Sequence, residues 1–305
     1  MQRNPSPVSI FFQFVGVLAA SLLVTALISP LVFQALGVFP FHRVFNRIAM
    51  LVFLVGTVVL VRKLGIGDRG TLGFGVPFDR QMAVGLLGWC VGICVMSVVA
   101  VGLFALGIRE WKPAPEHPLT VLLGLLPGAL LSGVIVGLVE ETFFRGAMYG
   151  AIRQRGSVAV AVILTAVLYS AVHFVGEKFR IPAADVTWSS GFLMLSKFFG
   201  TYARPLSIAD DFIALTLVGV LFAVLRERTG HLGMCIGLHA GFVTVIALLR
   251  KASVPVYDQP WSFLIGHTDG IVGWLVAAMA AAATVVAITL PDPRSLVLGR
   301  RSSSP

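Results

Sequence analysis

Apolar residues in this chain fall in long continuous runs rather than in the every-other pattern of a half-buried strand, and short charged stretches separate the runs. They lie at residues 9–38, 47–61, 81–108, 118–152, 157–176, 209–225, 232–249 and 270–290, the second being short. A helix needs about 20 apolar residues to span a bilayer, and lipid admits only helices or closed barrels because each backbone polar group must be satisfied internally. Unbroken runs do not suit barrel strands. The pattern therefore predicts an all-α fold, a polytopic membrane bundle of about eight transmembrane helices forming one domain over 1–305. The first run is too long for the core of a cleaved signal peptide and is expected to be a retained first span.

Between the runs, the connection 177–206 is the longest, and its stretch 190–202 mixes bulky apolar residues with the single Lys197. A short helix lying in the membrane interface is expected there, with a lid over the site as a second reading. Asp210 and Asp211 follow Ser207 at the start of the sixth run and are expected to cap its helix. Residues 291–305 form a basic tail.

Composition agrees with the pattern: 57% of residues are hydrophobic, 12% are charged and the mean hydropathy is +0.92, against about 25% charged in soluble domains. A net charge of +9 could indicate nucleic acid. The Lys and Arg residues, however, sit in pairs at span ends rather than in one patch, so they read as topology signals and no nucleic-acid partner is expected. Their slight excess on the side of the N-terminus favours both termini in the cytoplasm, the expected location being a bacterial cytoplasmic membrane. Cys90, Cys94 and Cys235 lie inside apolar runs as small hydrophobes, with no disulfide framework and no metal-binding pair.

Against this background Glu140, Glu141 and Arg145 stand out. A charge near the bilayer centre costs about 2.5–3.5 kcal/mol on insertion scales, so charges inside a span mark function by default. Glu141 and Arg145 are four apart on one helical face and read as an internal ion pair. Glu140 points elsewhere, and Phe143 and Phe144 occupy the places where a local cation would stand. Gly133 and Gly137 share its face and let another helix approach closely, so its partner must come from a different span. Of the six histidines, His42, His117, His231 and His267 sit at or outside span ends, where a solvated or interfacial side chain is expected. His173 and His239 remain. At a rise of about 1.5 Å per residue they lie at depths compatible with Glu140, so all three can share one cavity. A carboxylate with two imidazoles suits water activation, Glu as general base and His as proton shuttle or oxyanion stabiliser. The same set suits a His2Glu zinc site that keeps an open position for water.

The sequence Glu140-Glu141-x-x-x-Arg145, followed by Tyr169-x-x-x-His173 and His239-x-x-x-Val243, resembles the three motifs of the type II CAAX prenyl endopeptidase family, intramembrane proteases with bacteriocin-processing and immunity members. The resemblance covers 118–249 and implies a catalytic core there. It implies an endopeptidase that hydrolyses a peptide bond near or within the membrane, with Glu140 activating water, His173 positioning that water or stabilising charge, and His239 stabilising the oxyanion. Glu141 and Arg145 look like support, and whether a divalent metal takes part stays open. The implied partners are membrane lipid and a peptide or protein substrate, lipidated in the prenyl-processing case. Tyr169 replaces a Phe and keeps the aromatic ring. Val243 stands where the family often has Asn or Asp, and it cannot hydrogen-bond. Thr244 is the nearest substitute donor, the alternative being that it bonds back to a carbonyl of its own helix. Two other classes remain: a non-proteolytic scaffold or immunity-like protein of the same fold, and a proton-coupled transporter using Glu140 as relay, the latter disfavoured by the lack of an internal repeat or paired broken helices.

Overall fold

Helices surrounded by lipid gain little from burying apolar surface against each other, so small residues that admit close backbone approach decide which helices pack. The computed structural model describes residues 5–36, 39–113, 118–175 and 179–291. Its helices are α1 (Pro7–Leu36), α2 (Phe41–Leu64), α3 (Phe78–Ala105), α4 (Pro118–Glu141), α5 (Tyr149–Arg153), α6 (Val158–His173), α7 (Ser190–Phe198), α8 (Ala209–Thr229), α9 (Gly233–Ala252) and α10 (Trp274–Thr289). A π-helical segment, Thr142–Met148, joins α4 to α5 without a break. Among the described residues six helical stretches are long and apolar enough to cross a membrane, and α6 and α10 are shorter apolar helices. The expected all-α membrane bundle is present, with the count of spans at six by this measure.

The most enclosed of the long apolar helices is α9, on which α3 and α4 converge. A side chain at Gly92 of α3 would come within 2.5 Å of the Leu238 carbonyl, and one at Gly133 or Gly137 of α4 within 2.5 Å of the Ala240 carbonyl or 2.8 Å of the Ile236 carbonyl. Glycine at these places lets α4 lie against α9 and brings the end of α4 beside His239. The outward face of α4, with Val134, Ile135, Leu138 and Val139, is exposed, as a lipid-facing surface requires. On the other side α6 packs on α8 and α8 on α10, while α1 packs on α2 and α7.

Several expectations are corrected. The second run is not short: α2 begins at Phe41 after Pro40, because Arg43 and Arg47 are carried exposed on its first turns, where long cations reach the interface. Asp210 and Asp211 do not cap α8. Its start has no side-chain cap, and buried Asp211 accepts from the Thr268 backbone at 3.2 Å. His231 is buried rather than solvated and accepts from the Gly233 backbone at 3.2 Å, and its burial, followed by nearby Arg80 and Arg226, lowers its pKa. A short antiparallel pair, β1 (Arg109–Trp111) with β2 (Ser253–Pro255), ties the ends of α3 and α9. The connection after α6 contains α7, with Phe198 packed on Phe45 at 5.0 Å and Gly191 against the Ala26 carbonyl of α1. The Tyr202 hydroxyl donates to the Ala171 carbonyl beside the end of α6. Arg3, His117, Glu177, Lys178 and residues 292–305 of the basic tail lie outside the described residues.

The glycine contacts yield a stability test. Gly137→Val forces a side chain into α9 backbone and should cost at least the about 1–3 kcal/mol of ordinary overpacking. Gly124→Ala, on the same helix with open space at its Cα, should be neutral or mildly stabilising. Thermal unfolding of both variants in one detergent checks the contrast, and equal behaviour would contradict the proposed α4–α9 packing.

Candidate active site

At the end of α4 the helix widens into the π-helical segment, a form that is rare and recurs at functional sites. Residues 143–148 are all buried. Phe143 packs edge-on against Phe14 of α1 and Phe53 of α2, at 5.7 and 4.6 Å, and Phe144 against Tyr169 of α6 at 5.3 Å. Adjacent aromatic residues thus both find apolar neighbours, which fixes the rotation of the helix where Glu140 and Glu141 leave it.

Glu141 is fully buried. Its Oε1 accepts from Arg145 Nη1 at 3.1 Å and from His239 Nδ1 at 2.8 Å. Arg145, also fully buried, donates from Nη2 to the Gly219 carbonyl at 3.1 Å, and its guanidinium lies 4.4 Å from the Tyr169 ring and 5.1 Å from that of Phe222. Carboxylate and guanidinium thus share hydrogen bonds and aromatic faces that offset part of the several kcal/mol lost in taking each out of water, while Glu141 Oε2 and Arg145 Nε are buried without a hydrogen-bond partner among the described residues.

Glu140 sits differently. Its Oε2 lies 3.8 Å from His173 Nε2 and 3.8 Å from His239 Nε2, and its side chain is 31% exposed, as His173 is 29% exposed. His173 is the last residue of α6, and its Nδ1 lies 2.7 Å from the Tyr169 carbonyl. A carbonyl only accepts, so this Nδ1 carries the hydrogen. On His239 the Nδ1 hydrogen points to Glu141, and Phe222 stacks on the ring at 5.2 Å. Both imidazoles therefore turn Nε2 toward Glu140, held from behind by their Nδ1 bonds. The distance of 3.8 Å is too long for a direct hydrogen bond.

As placed here, Glu140, His173 and His239 are not drawn together into a metal-binding group. Among the described residues no group of three or more His, Cys, Asp or Glu side chains is arranged to hold a metal ion. Tetrahedral ligands at about 2.0–2.1 Å from zinc stand roughly 3.3–3.4 Å apart, closer than the 3.8 Å that separates Glu140 Oε2 from each Nε2.

Of the supporting residues named from sequence, Tyr169 is buried beneath both histidines, with ring centroids 4.5 Å from His173 and 6.2 Å from His239. Val243 is half-buried. Thr244 does not supply a donor: its hydroxyl bonds back to the Ala240 carbonyl at 2.7 Å and lies against Gly133 of α4. Sequence reasoning missed Gly219, whose carbonyl orients Arg145, and Phe222, which stacks on His239. A backbone acceptor leaves no trace in the sequence, whereas Phe222 lies one turn before Arg226 on a span with few aromatics.

Residues 121–245 match the family described as type II CAAX prenyl endopeptidase Rce1-like. No curated protein and no solved structure matches the chain. The matched stretch contains Glu140, Glu141, Arg145, Tyr169, His173 and His239.

Removing Arg145 leaves Glu141 buried without its cation, a loss on the order of 3–5 kcal/mol for a broken buried pair. Arg145→Ala is thus expected to reduce the yield of folded protein and its unfolding temperature. A variant that unfolds at the wild-type temperature would show that the pair is not needed for the fold.

Proposed function

We propose that the stretch matched to the CAAX prenyl endopeptidases makes this chain an intramembrane endopeptidase in which Glu140 activates water for attack on a peptide bond. What carries the reading is the convergence of two Nε2 atoms, each 3.8 Å away, on one buried carboxylate oxygen, Oε2, that has no hydrogen-bond partner of its own among the described residues although the Glu140 side chain is partly exposed. A water with hydrogen bonds of about 2.8 Å bridges such a gap when its two contacts meet near a right angle.

In this mechanism Glu140 takes a proton from the water while the oxygen adds to the scissile carbonyl carbon. The same carboxylic acid then returns the proton to the leaving nitrogen as the C–N bond breaks. His173, with its hydrogen held on Nδ1 by the Tyr169 carbonyl, offers Nε2 to orient the water. His239 in its protonated form donates from Nε2 to the oxyanion, while Glu141 holds the ring by its other nitrogen. Positioned acid–base chemistry of this kind contributes about 10²–10⁴-fold and an oxyanion donor about 10²–10³-fold. Glu141 and Arg145 act as scaffolding for His239. The substrate is a peptide or protein reaching the membrane, with a lipidated chain end as one form and a membrane-spanning precursor as another.

The second reading, a non-proteolytic scaffold of the same fold, draws on Val243, which leaves the third motif without its usual polar side chain, and on Thr244, whose hydroxyl is already engaged. Glu140→Gln separates the two: size and hydrogen bonding are kept, yet the amide cannot act as base. Cleavage of a membrane-embedded reporter should stop while the protein stays folded, and continued turnover at the wild-type rate would remove Glu140 from the chemistry.

Val243 supplies another expected outcome. Val243→Asn is predicted to keep or raise the cleavage rate, and Thr244→Val to leave it unchanged, at matched levels of inserted protein. Loss of activity in a folded Val243→Asn variant would show that this position packs against an apolar neighbour or substrate.

A further inference from the structure

The π-helical segment is gripped at two points by α8. Gly219 accepts from the Arg145 side chain, and two helical turns later Arg226 reaches the Arg145 backbone, donating from Nε to its carbonyl at 3.3 Å. Arg226 is buried, and its Nη2 donates to the carbonyls of Gly70 and Thr71, at 3.3 and 3.0 Å, in the connection between α2 and α3. That connection is internally tied: Asp68 accepts from the Thr71 backbone at 2.8 Å, and the Phe74 backbone donates to the Arg69 carbonyl at 2.7 Å.

It also presses on the segment that carries the motif. A side chain at Gly146 would come within 3.0 Å of the Leu72 carbonyl, and one at Gly150 within 2.6 Å of the Thr71 carbonyl. Gln154 donates to the Thr71 hydroxyl at 2.8 Å. Gly73, at a φ of 83°, turns its carbonyl to accept from the Leu232 backbone at the start of α9, and a side chain there would come within 3.0 Å of Arg226 Nε. The 68–74 stretch and the π-helical segment thus meet at one guanidinium, and Gly73 of the same stretch is bonded to the start of α9.

We infer that Arg226 is a positioning residue for the site, bracing the π-helical segment against the 68–74 stretch so that Glu140 and Glu141 leave α4 in the rotation that faces the histidines. A widened helix shifts the register of its backbone carbonyls, and a fixed planar fork can hold carbonyls of two separate segments at once, which a lysine's single ammonium does poorly. The kinetic part of this inference rests on the peptidase reading; the structural part does not.

The test compares wild type, Arg226→Lys and Arg226→Ala in one membrane mimetic, reading amide hydrogen exchange and steady-state cleavage. With Arg226→Ala, exchange should quicken together in residues 68–74 and 142–150 while the α3–α9 contact stays protected. The kcat should fall, by roughly 10²-fold for an ångström-scale misplacement, with KM unchanged. Arg226→Lys should recover part of the protection and part of kcat, and it carries the comparison if Arg226→Ala does not fold. Unchanged exchange in 142–150, or a rise in KM alone, would overturn the assignment. If wild type itself does not cleave, the peptidase reading fails, while the coupled change in exchange still decides whether Arg226 is the brace.

Discussion

A single carboxylate oxygen, Glu141 Oε1, accepts from a guanidinium and an imidazole at once, where the side chain is wholly out of reach of water. Few arrangements in a membrane protein are so constrained. Burial of an ionised carboxylate costs several kcal/mol after relaxation, and an ion pair repays this only with good geometry and further hydrogen bonds. Arg145 supplies that geometry because Gly219 and the Tyr169 and Phe222 rings fix it. The π-helical segment, α6, α8 and α9 are thereby drawn to one point. Since buried pairs seldom add net stability over apolar packing, the consequence that matters here is orientation: His239 has one ring position in which Nδ1 meets Glu141 and Nε2 meets Glu140.

Two neighbouring carboxylates consequently have separate tasks. Glu141 is enclosed and saturates the back of an imidazole, whereas Glu140 is partly exposed and faces the front of two. The difference arises from their angular separation on the helix and from Gly133 and Gly137, which admit α9 on the Glu140 side. In the peptidase reading the first carboxylate keeps the catalytic geometry and the second does the proton transfer.

Much of this was legible in the sequence because helical spacing is a strong constraint on charges in lipid. The four-residue offset of Glu141 and Arg145 implied their pairing, and the lack of a local cation for Glu140 pointed to His173 and His239 on other spans. The π-helical widening was not legible, since no residue pattern distinguishes it from a continuing α-helix, and it depends on the enclosure of Phe143 and Phe144 by three other elements. Nor was the bond from His239 to Glu141, because the ion pair with Arg145 already gave that carboxylate a partner. Arg226 read as a topology charge at a span end, yet it is buried among carbonyls of segments remote in sequence. Asp211 looked like a helix cap for a similar reason: its acceptor role is filled by Thr268, a contact that only the folded chain creates.

The central claim is that Glu140 delivers a proton-stripped water to the peptide bond and forms no bond to the substrate itself. A single turnover in ¹⁸O-enriched water, with enzyme in excess, tests this most directly by mass spectrometry of product and enzyme peptides. The account predicts that the new carboxylate of the product carries the heavy oxygen in the first turnover and that the peptide containing Glu140 carries none. Heavy oxygen in Glu140 with an unlabelled first product would mean that the carboxylate attacks the carbonyl as a nucleophile, and would contradict the account.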